Sequence, residues 1–370
     1  MRILHTESSN GWGGQEMRIL RESEGMRSRG HEVVFAVANG GALAVHARQS
    51  GFTVYEVPLK KSKAFTDLFQ LIAIVKKHKI DLVNTHSSWD AWIGGVAARL
   101  AGKKVIRTRH LSATIRKGVN SFLLYKALAD SVVTTSSVIV PVIQQQARLN
   151  PSKVRCIPTG VDPARVQFSQ EEVVRFRTSL GLKEGDLLVG TVCVVRSWKG
   201  IGDLLQAAVL LKGNKRIKWV VVGGGHLQDF LPKLDELGLQ DIVTFTGHLD
   251  PPYAAIAAMD IFMLLSTANE GISQATLQAS YLERPLITTT VGGLPEVCLQ
   301  GKTGIVVPPF SPEKIAEAVE RLGSDPALRQ MYGQSAKSHV MEKFTLQRTL
   351  DQMEEVYAQV CGGGKHLLKP

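Results

Sequence analysis

Short runs rich in β-branched and apolar residues alternate along the chain with longer stretches whose apolar positions recur every three or four residues. In the first half the short runs are residues 2–6, 32–38, 53–57, 82–86, 105–108, 131–135 and 154–157. Helical patterns over 15–28, 65–78, 91–101 and 119–129 stand between most of them. Alternation of this kind predicts βαβ units and a parallel sheet covered by helices on both faces.

The series then restarts. Strands are predicted over 187–195, 217–222, 243–246, 261–265, 286–290 and 305–307, and helices over 202–211, 228–237, 253–258, 272–282 and 294–299. The break falls in the loop 158–164, which holds Pro158, Gly160 and Pro163. Just beyond it, Ser169 and Glu172 have the spacing of a capping box. The expected organisation is an α/β protein of two similar sheets in series with a cleft between them. The domains are 1–165 and 166–345, followed by a segment 346–370 whose helix packs back on the first domain and whose end, from 361, is a flexible basic tail.

Composition narrows the class. At about 150 residues per domain, 370 residues also suggest two domains. The 44% hydrophobic content supplies two cores and excludes a chain disordered throughout. Cys156, Cys193, Cys298 and Cys361 are scattered, with no C-x-x-C pair, which predicts reduced thiols in a cytoplasmic protein. Charge interrupts the N-terminus at Arg2, and no run reaches the roughly 18 apolar residues of a membrane helix. No targeting or spanning segment is therefore expected.

The net charge of +11 is unevenly placed. Residues 1–165 hold 24 Lys and Arg against 11 Asp and Glu, whereas the remainder holds 20 against 22. The first half is thus the one expected to meet something anionic: nucleic acid, a membrane surface or an acidic substrate.

Five segments carry candidate chemistry. Trp12, Gly13 and Gly14, in GWGGQE between the first strand and helix, would let backbone amides approach an anion, or form only a tight turn. The spacing is not G-x-G-x-x-G, so a dinucleotide site is poorly supported. Arg196 and Lys199, in RSWKG after a strand, place two cations where open α/β sheets bind ligands. Gly223, Gly224 and Gly225 permit close backbone approach. In NEGISQ, Glu270 precedes Gly271, Ile272 and Ser273 at a helix start, and Gln278 lies eight residues on, so Glu270 and Gln278 are expected on one helical face. In GGLPE, Pro295 suits a first helical turn, and Glu296 either favours the helix dipole or binds a polyol.

The order IPTGVD, RSWKG, VGGG, TGH, NEGISQATLQAS and GGLPEV resembles glycosyltransferase family 4 over nearly the whole chain. RSWKG, EGISQ and RTRH are most similar to bacterial lipopolysaccharide core transferases. The resemblance implies the GT-B fold, with two Rossmann-like domains facing a central cleft. It implies retaining transfer of a sugar from a nucleotide-diphosphate sugar, with no metal and no cofactor; the sequence has no D-x-D. Arg196 and Lys199 match the diphosphate-binding pair, Glu270 the first glutamate of an E-x7-E motif that contacts the donor sugar, and the amides of Gly271 to Ser273 the phosphate cradle. Gly224, His248 and Glu296 fall on the donor side. Gly13 and Gly14 match the first-domain loop near phosphate or acceptor. His110, in RTRH, matches the catalytic-region histidine, with His86 the runner-up; Asp90 and Trp12 are candidates for the acceptor pocket, Trp12 as a stacking ring hard to bury in its loop. Two departures stand out. Gln278 replaces the second glutamate, and an amide keeps hydrogen bonding to a hydroxyl but no charge. The RSWKG loop is also shorter than usual.

The first-domain basic clusters at 60–63, 76–79 and 107–117 flank apolar stretches, a pattern of peripheral docking to an anionic inner membrane. The expected acceptor is lipid-linked or an oligosaccharide. Alternatives are a nucleotide-sugar epimerase of the same fold and, in another class, a nucleic-acid-binding protein; the latter is disfavoured because no recognised module appears.

Overall fold

The structure, a computed structural model, describes residues 1–112, 115 and 118–362. The chain forms two compact units, one of Met1–Thr159 with the chain from Leu346 onward, the other Gly160–Thr345. The first crossing between them therefore falls inside the Pro- and Gly-containing loop, at Gly160 rather than at 165.

The first unit is built on seven parallel strands: β1 (Arg2–Glu7), β2 (Glu32–Ala38), β3 (Thr53–Val57), β4 (Leu82–Thr85), β5 (Lys104–Arg109), β6 (Ser131–Thr134) and β7 (Val154–Cys156), in the order β3-β2-β1-β4-β5-β6-β7. The second has six: β8 (Leu187–Val192), β9 (Ile217–Val222), β10 (Val243–Gly247), β11 (Ile261–Leu264), β12 (Leu286–Thr289) and β13 (Gly304–Val307), in the order β10-β9-β8-β11-β12-β13. Both sheets are buried on both faces, which is why their strands read as continuous apolar runs. In β1, Ile3 enters one core cluster and Leu4 another; in β8, Leu188 and Val189 divide likewise.

Each strand order has one switch point, between β1 and β4 and between β8 and β11, where successive connections leave in opposite directions. The loops there separate and open a crevice at the carboxyl ends of the strands. The functional candidates collect at these two places.

The helix Leu346–Val360 belongs to the first unit. Leu350, Met353, Val356 and Tyr357 are buried on one of its faces. Arg29 ties it to the helix Gly14–Ser28 through Asp351 (2.6 Å) and Glu354 (2.8 Å). Residues 363–370 of the expected tail, and Arg116 and Lys117 of the third basic cluster, lie outside the described residues.

Several local expectations differ from the structure. Helices Ala42–Gln49 and Ile139–Ala147 were not expected; the second begins IVPVI, which reads as strand, but its proline falls in the first turn, where no intrahelical amide is lost. The segment expected as one helix over 119–129 is a short α-helix, Val119–Phe122, followed by a π-helix, Leu123–Leu128. Arg107, expected in a surface cluster, points inward from β5 and is 5% exposed. Among the described residues no helix is long and apolar enough to cross a membrane.

Candidate active site

In the second unit the chain leaving β8 is pinned to the glycine loop after β9. Val195 N–H donates to Gly224 O (2.8 Å), and His226 N–H donates to Val195 O (3.0 Å). Gly223 has φ of 143°, and a Cβ there would lie 1.8 Å from Cys193 O, so only glycine fits. A single 3-10 turn, Ser197–Lys199, follows. Gly200 then adopts φ of 70°, with its Cα so close to β11 that a Cβ would sit 2.0 Å from Leu265 O. That approach brings Lys199 to the end of the neighbouring strand.

There Lys199 Nζ donates to Glu270 Oε1, and Ser266 Oγ donates to the same oxygen at 2.6 Å. Glu270 is 5% exposed. Its loop is held by Gly293 N–H donating to Glu270 O (3.3 Å) and Thr289 Oγ1 donating to Ser266 O (2.6 Å). Arg196 stays exposed, its guanidinium 5.2 Å from the centre of the Trp198 ring. The β8–β11 switch point thus presents one exposed cation beside a buried, hydroxyl-supported ion pair.

The other donor-side candidates surround it. His248 is exposed after β10 and lies against Gly224, where a Cβ would be 3.5 Å from the His248 Cβ. Glu296 lies on the short helix Leu294–Val297, and its carbonyl bonds His339 Nε2 at 2.9 Å. Glu270 and Gln278 do not share a helix. Asn269, at φ of 61°, and Gly271 keep the chain irregular, so the helix begins only at Gln274, with Ser273 as its N-cap. Gly271 and Ile272 therefore precede the helix, while Gln278 sits half-buried within it.

In the first unit, the β1–β4 switch point carries a carboxylate pair, the expected candidate Asp90 and Glu7, which sequence reading had not identified. Glu7 is fully buried and accepts from Ser9 N–H (2.7 Å), Gln15 Nε2 (2.5 Å) and Ser87 Oγ. Burial, then the charge of Asp90, push Glu7 up to about 8. Asp90 is also fully buried and accepts from Thr6 Oγ1 (3.0 Å), Ser8 Oγ (3.2 Å), His86 N–H (2.8 Å) and Ser87 N–H (2.9 Å); burial raises it to about 6. Its oxygens are occupied by the protein, so it orders the loop after β4.

The glycine loop also differs from expectation. Gly13 N–H already donates to Glu16 Oε2 at 2.9 Å, a carboxylate in the place an anion would take. Gly14 is exposed. Trp12 is half-buried after all: its ring stacks on His46 at 3.8 Å between centroids and packs against the core, because the loop folds back over the helix Ala42–Gln49.

His110 and His86 lie side by side, and a third histidine extends them. His86 Nδ1 is 3.0 Å from His110 Nε2, and His5 Nδ1 is 2.8 Å from His86 Nε2. Burial lowers all three below the ordinary histidine range, His5 to about 3. Beneath them Thr108 Oγ1 donates to Asn84 (2.8 Å), Asn84 Nδ2 to Tyr357 OH (3.2 Å), and Tyr357 OH to Glu22 (2.6 Å). His5 and Glu7 alternate with Ile3 on one face of β1, so polar residues at core-facing positions were the signal available for both.

Two parallel-sheet, Rossmann-like units, each with its polar groups gathered at a switch point, define a protein of the GT-B architecture. The profile of glycosyl transferases group 1 matches residues 174–339, and that of glycosyltransferase family 4 matches residues 12–165. The chain belongs to these glycosyltransferases and is an enzyme of that class. It is 24% identical to the capsular polysaccharide biosynthesis glycosyltransferase CapM of Staphylococcus aureus, over 90% of this chain and 91% of that one. It is 25% identical to a UDP-Gal:alpha-D-GlcNAc-diphosphoundecaprenol alpha-1,3-galactosyltransferase of Escherichia coli, over 96% of each. Among solved structures it is similar to HepE of Anabaena in complex with UDP, with a TM-score of 0.86 and 19% identity over 97% of this chain and 100% of that one.

Proposed function

We propose that this enzyme moves a sugar from a nucleotide-diphosphate sugar to a hydroxyl of a lipid-linked or oligosaccharide acceptor, with retention at the anomeric carbon and without a metal ion, in lipopolysaccharide or other cell-surface polysaccharide assembly. The observation that carries this reading is Lys199 bonded to Glu270 beside exposed Arg196 at the β8–β11 switch point. When the bond from the anomeric carbon to the diphosphate breaks, negative charge grows on the leaving phosphate. The two cations there, Arg196 and Lys199, stabilise it, the part a metal plays elsewhere. Glu270, held by Lys199 and Ser266, faces the sugar hydroxyls. Retention rests on the family resemblance. The S. aureus and E. coli relatives, by name, act in capsule synthesis and on a diphosphate-linked lipid, which supports a cell-surface role and such an acceptor. The HepE complex makes UDP the first nucleotide to try.

Peripheral membrane contact is part of the proposal. Phe65 and Phe69 are 76% and 57% exposed and pack edge to face, with exposed Lys60, Lys61, Lys63, Lys76 and Lys77 around their helix. Apolar side chains ringed by lysines suit an anionic leaflet. The protein should sediment with anionic but not with neutral vesicles; equal binding to both, or none, would refute this contact.

A thermal-shift panel with UDP, GDP, ADP and CMP identifies the nucleotide, since a ligand of the folded state raises the unfolding temperature. Transfer from the matching nucleotide sugar, unchanged by EDTA and giving a product of the donor's anomeric configuration by NMR, is the expected result. An inverted product, or activity lost to EDTA and restored by a divalent ion, would overturn the mechanism.

A further inference from the structure

His5, His86 and His110 form an unbroken row in the first unit. The rings of His5 and His86 are stacked at 5.1 Å between centroids, and those of His86 and His110 lie 5.2 Å apart. His5 is fully buried, His86 2% and His110 8% exposed. Burial keeps each ring neutral, so each has one N–H and one bare nitrogen. Two hydrogen bonds then couple the three protons, and only two arrangements satisfy both bonds. Either every Nδ1 carries its proton and donates toward His110, or every Nε2 carries it and donates toward His5.

The far end of the row chooses between them. His5 Nε2 is buried and has no hydrogen-bond partner among the described residues. With the proton on Nε2, a buried N–H would be orphaned; with the proton on Nδ1, only a lone pair would be. Orphaned buried donors are the rarer and costlier of the two.

We propose that His5, through His86, is a positioning residue that locks His110 as the Nδ1–H tautomer, so that His110 offers a donor to a substrate oxygen. The inference rests on the family resemblance that makes His110 the catalytic-region histidine, and it adds two residues that touch no substrate. His110 Nε2 is held as the acceptor from His86, and the outward nitrogen selects a hydroxyl or phosphate oxygen able to accept.

The test is long-range proton–nitrogen NMR on the full chain labelled with 15N-histidine, the His110 signals being assigned by their loss in His110→Gln. The expected wild-type spectrum has the His110 proton on Nδ1; a proton on Nε2 overturns the proposal, whatever the variants do. His5→Gln removes the bias, because its amide can donate to His86 Nε2 or accept from it equally well. It should give a mixture of His110 tautomers and lower kcat about twofold, with KM nearly unchanged. His5→Phe stacks on His86 but would orphan an Nε2–H there, so it should keep the Nδ1–H form and most of the rate. An unaltered His110 tautomer in His5→Gln overturns the lock. Full transfer activity in His110→Gln instead overturns the site reading, while the wild-type spectrum still decides the tautomer.

Discussion

Removing Lys199 tests the donor site and its energetics together. Glu270 shows only 6% of its side chain to solvent and Lys199 18%, so Lys199→Met leaves a buried carboxylate bonded to the Ser266 hydroxyl and without a countercharge beside it. Breaking a buried pair by deleting one partner costs about 3–5 kcal/mol, because the other charge stays desolvated. Partial access of water to Lys199 places this case near 3. Glu270→Gln keeps a hydrogen bond to Ser266, and Lys199 can turn its ammonium toward solvent, so that change should cost only about 1–2 kcal/mol. The double variant strands no charge and should lie within about 1 kcal/mol of wild type, a coupling of roughly 3–5 kcal/mol. Guanidinium unfolding followed by fluorescence reads the second unit through Trp198 and Trp219, beside donor turnover in the same preparations. The double variant should recover stability but not activity, since neither charge is left at the site. Additive single costs would show that the pair is not desolvated and would refute the reasoning.

The histidine row predicts acid sensitivity. A histidine held near 3 in the fold but titrating at about 6.5 when unfolded stabilises the protein above pH 6.5 and loses that contribution as pH falls toward 3, at about 1.4 kcal/mol per unit. Denaturation at pH 7 and 5 should show the loss in wild type and a smaller one in His5→Phe. Glu7 runs the other way: its ionisation, near 8 in the fold, costs stability as pH rises from about 4.5 to 8, so Glu7→Gln should be the more stable protein at pH 8.5, by a few kcal/mol at most. Gly200→Ala, with φ of 70° and 2.0 Å to Leu265 O, should displace Lys199 and raise the donor KM more than it changes global unfolding. Tyr357→Phe removes the hydroxyl bonded to Asn84 and Glu22 and should lower first-unit stability by about 1–3 kcal/mol, read in guanidinium unfolding through Trp12, Trp89 and Trp92 of that unit.

All thirteen strands were legible in the sequence to within a few residues, because strands buried on both faces need continuous apolar side chains, a local requirement. The Ser169–Glu172 capping box was legible for the same reason, since its partners are three residues apart. Helix Ile139–Ala147 was missed because its local signal favoured strand and packing of Ile139, Ile143 and Ala147 prevailed. The donor motifs pointed to Arg196, Lys199 and Glu270 as residues but not to the bond between Lys199 and Glu270.

That bond spans 71 positions, and the contacts of His5 with His86 and of His86 with His110 span 81 and 24. The sequence by itself determined which segments are strands and which loops follow a strand. Strand order decided the rest. Placing β4 beside β1 and β11 beside β8 lays distant loops side by side at the two switch points. Crossovers impose that order through packing of whole helices on the sheets, a property no single window of residues contains.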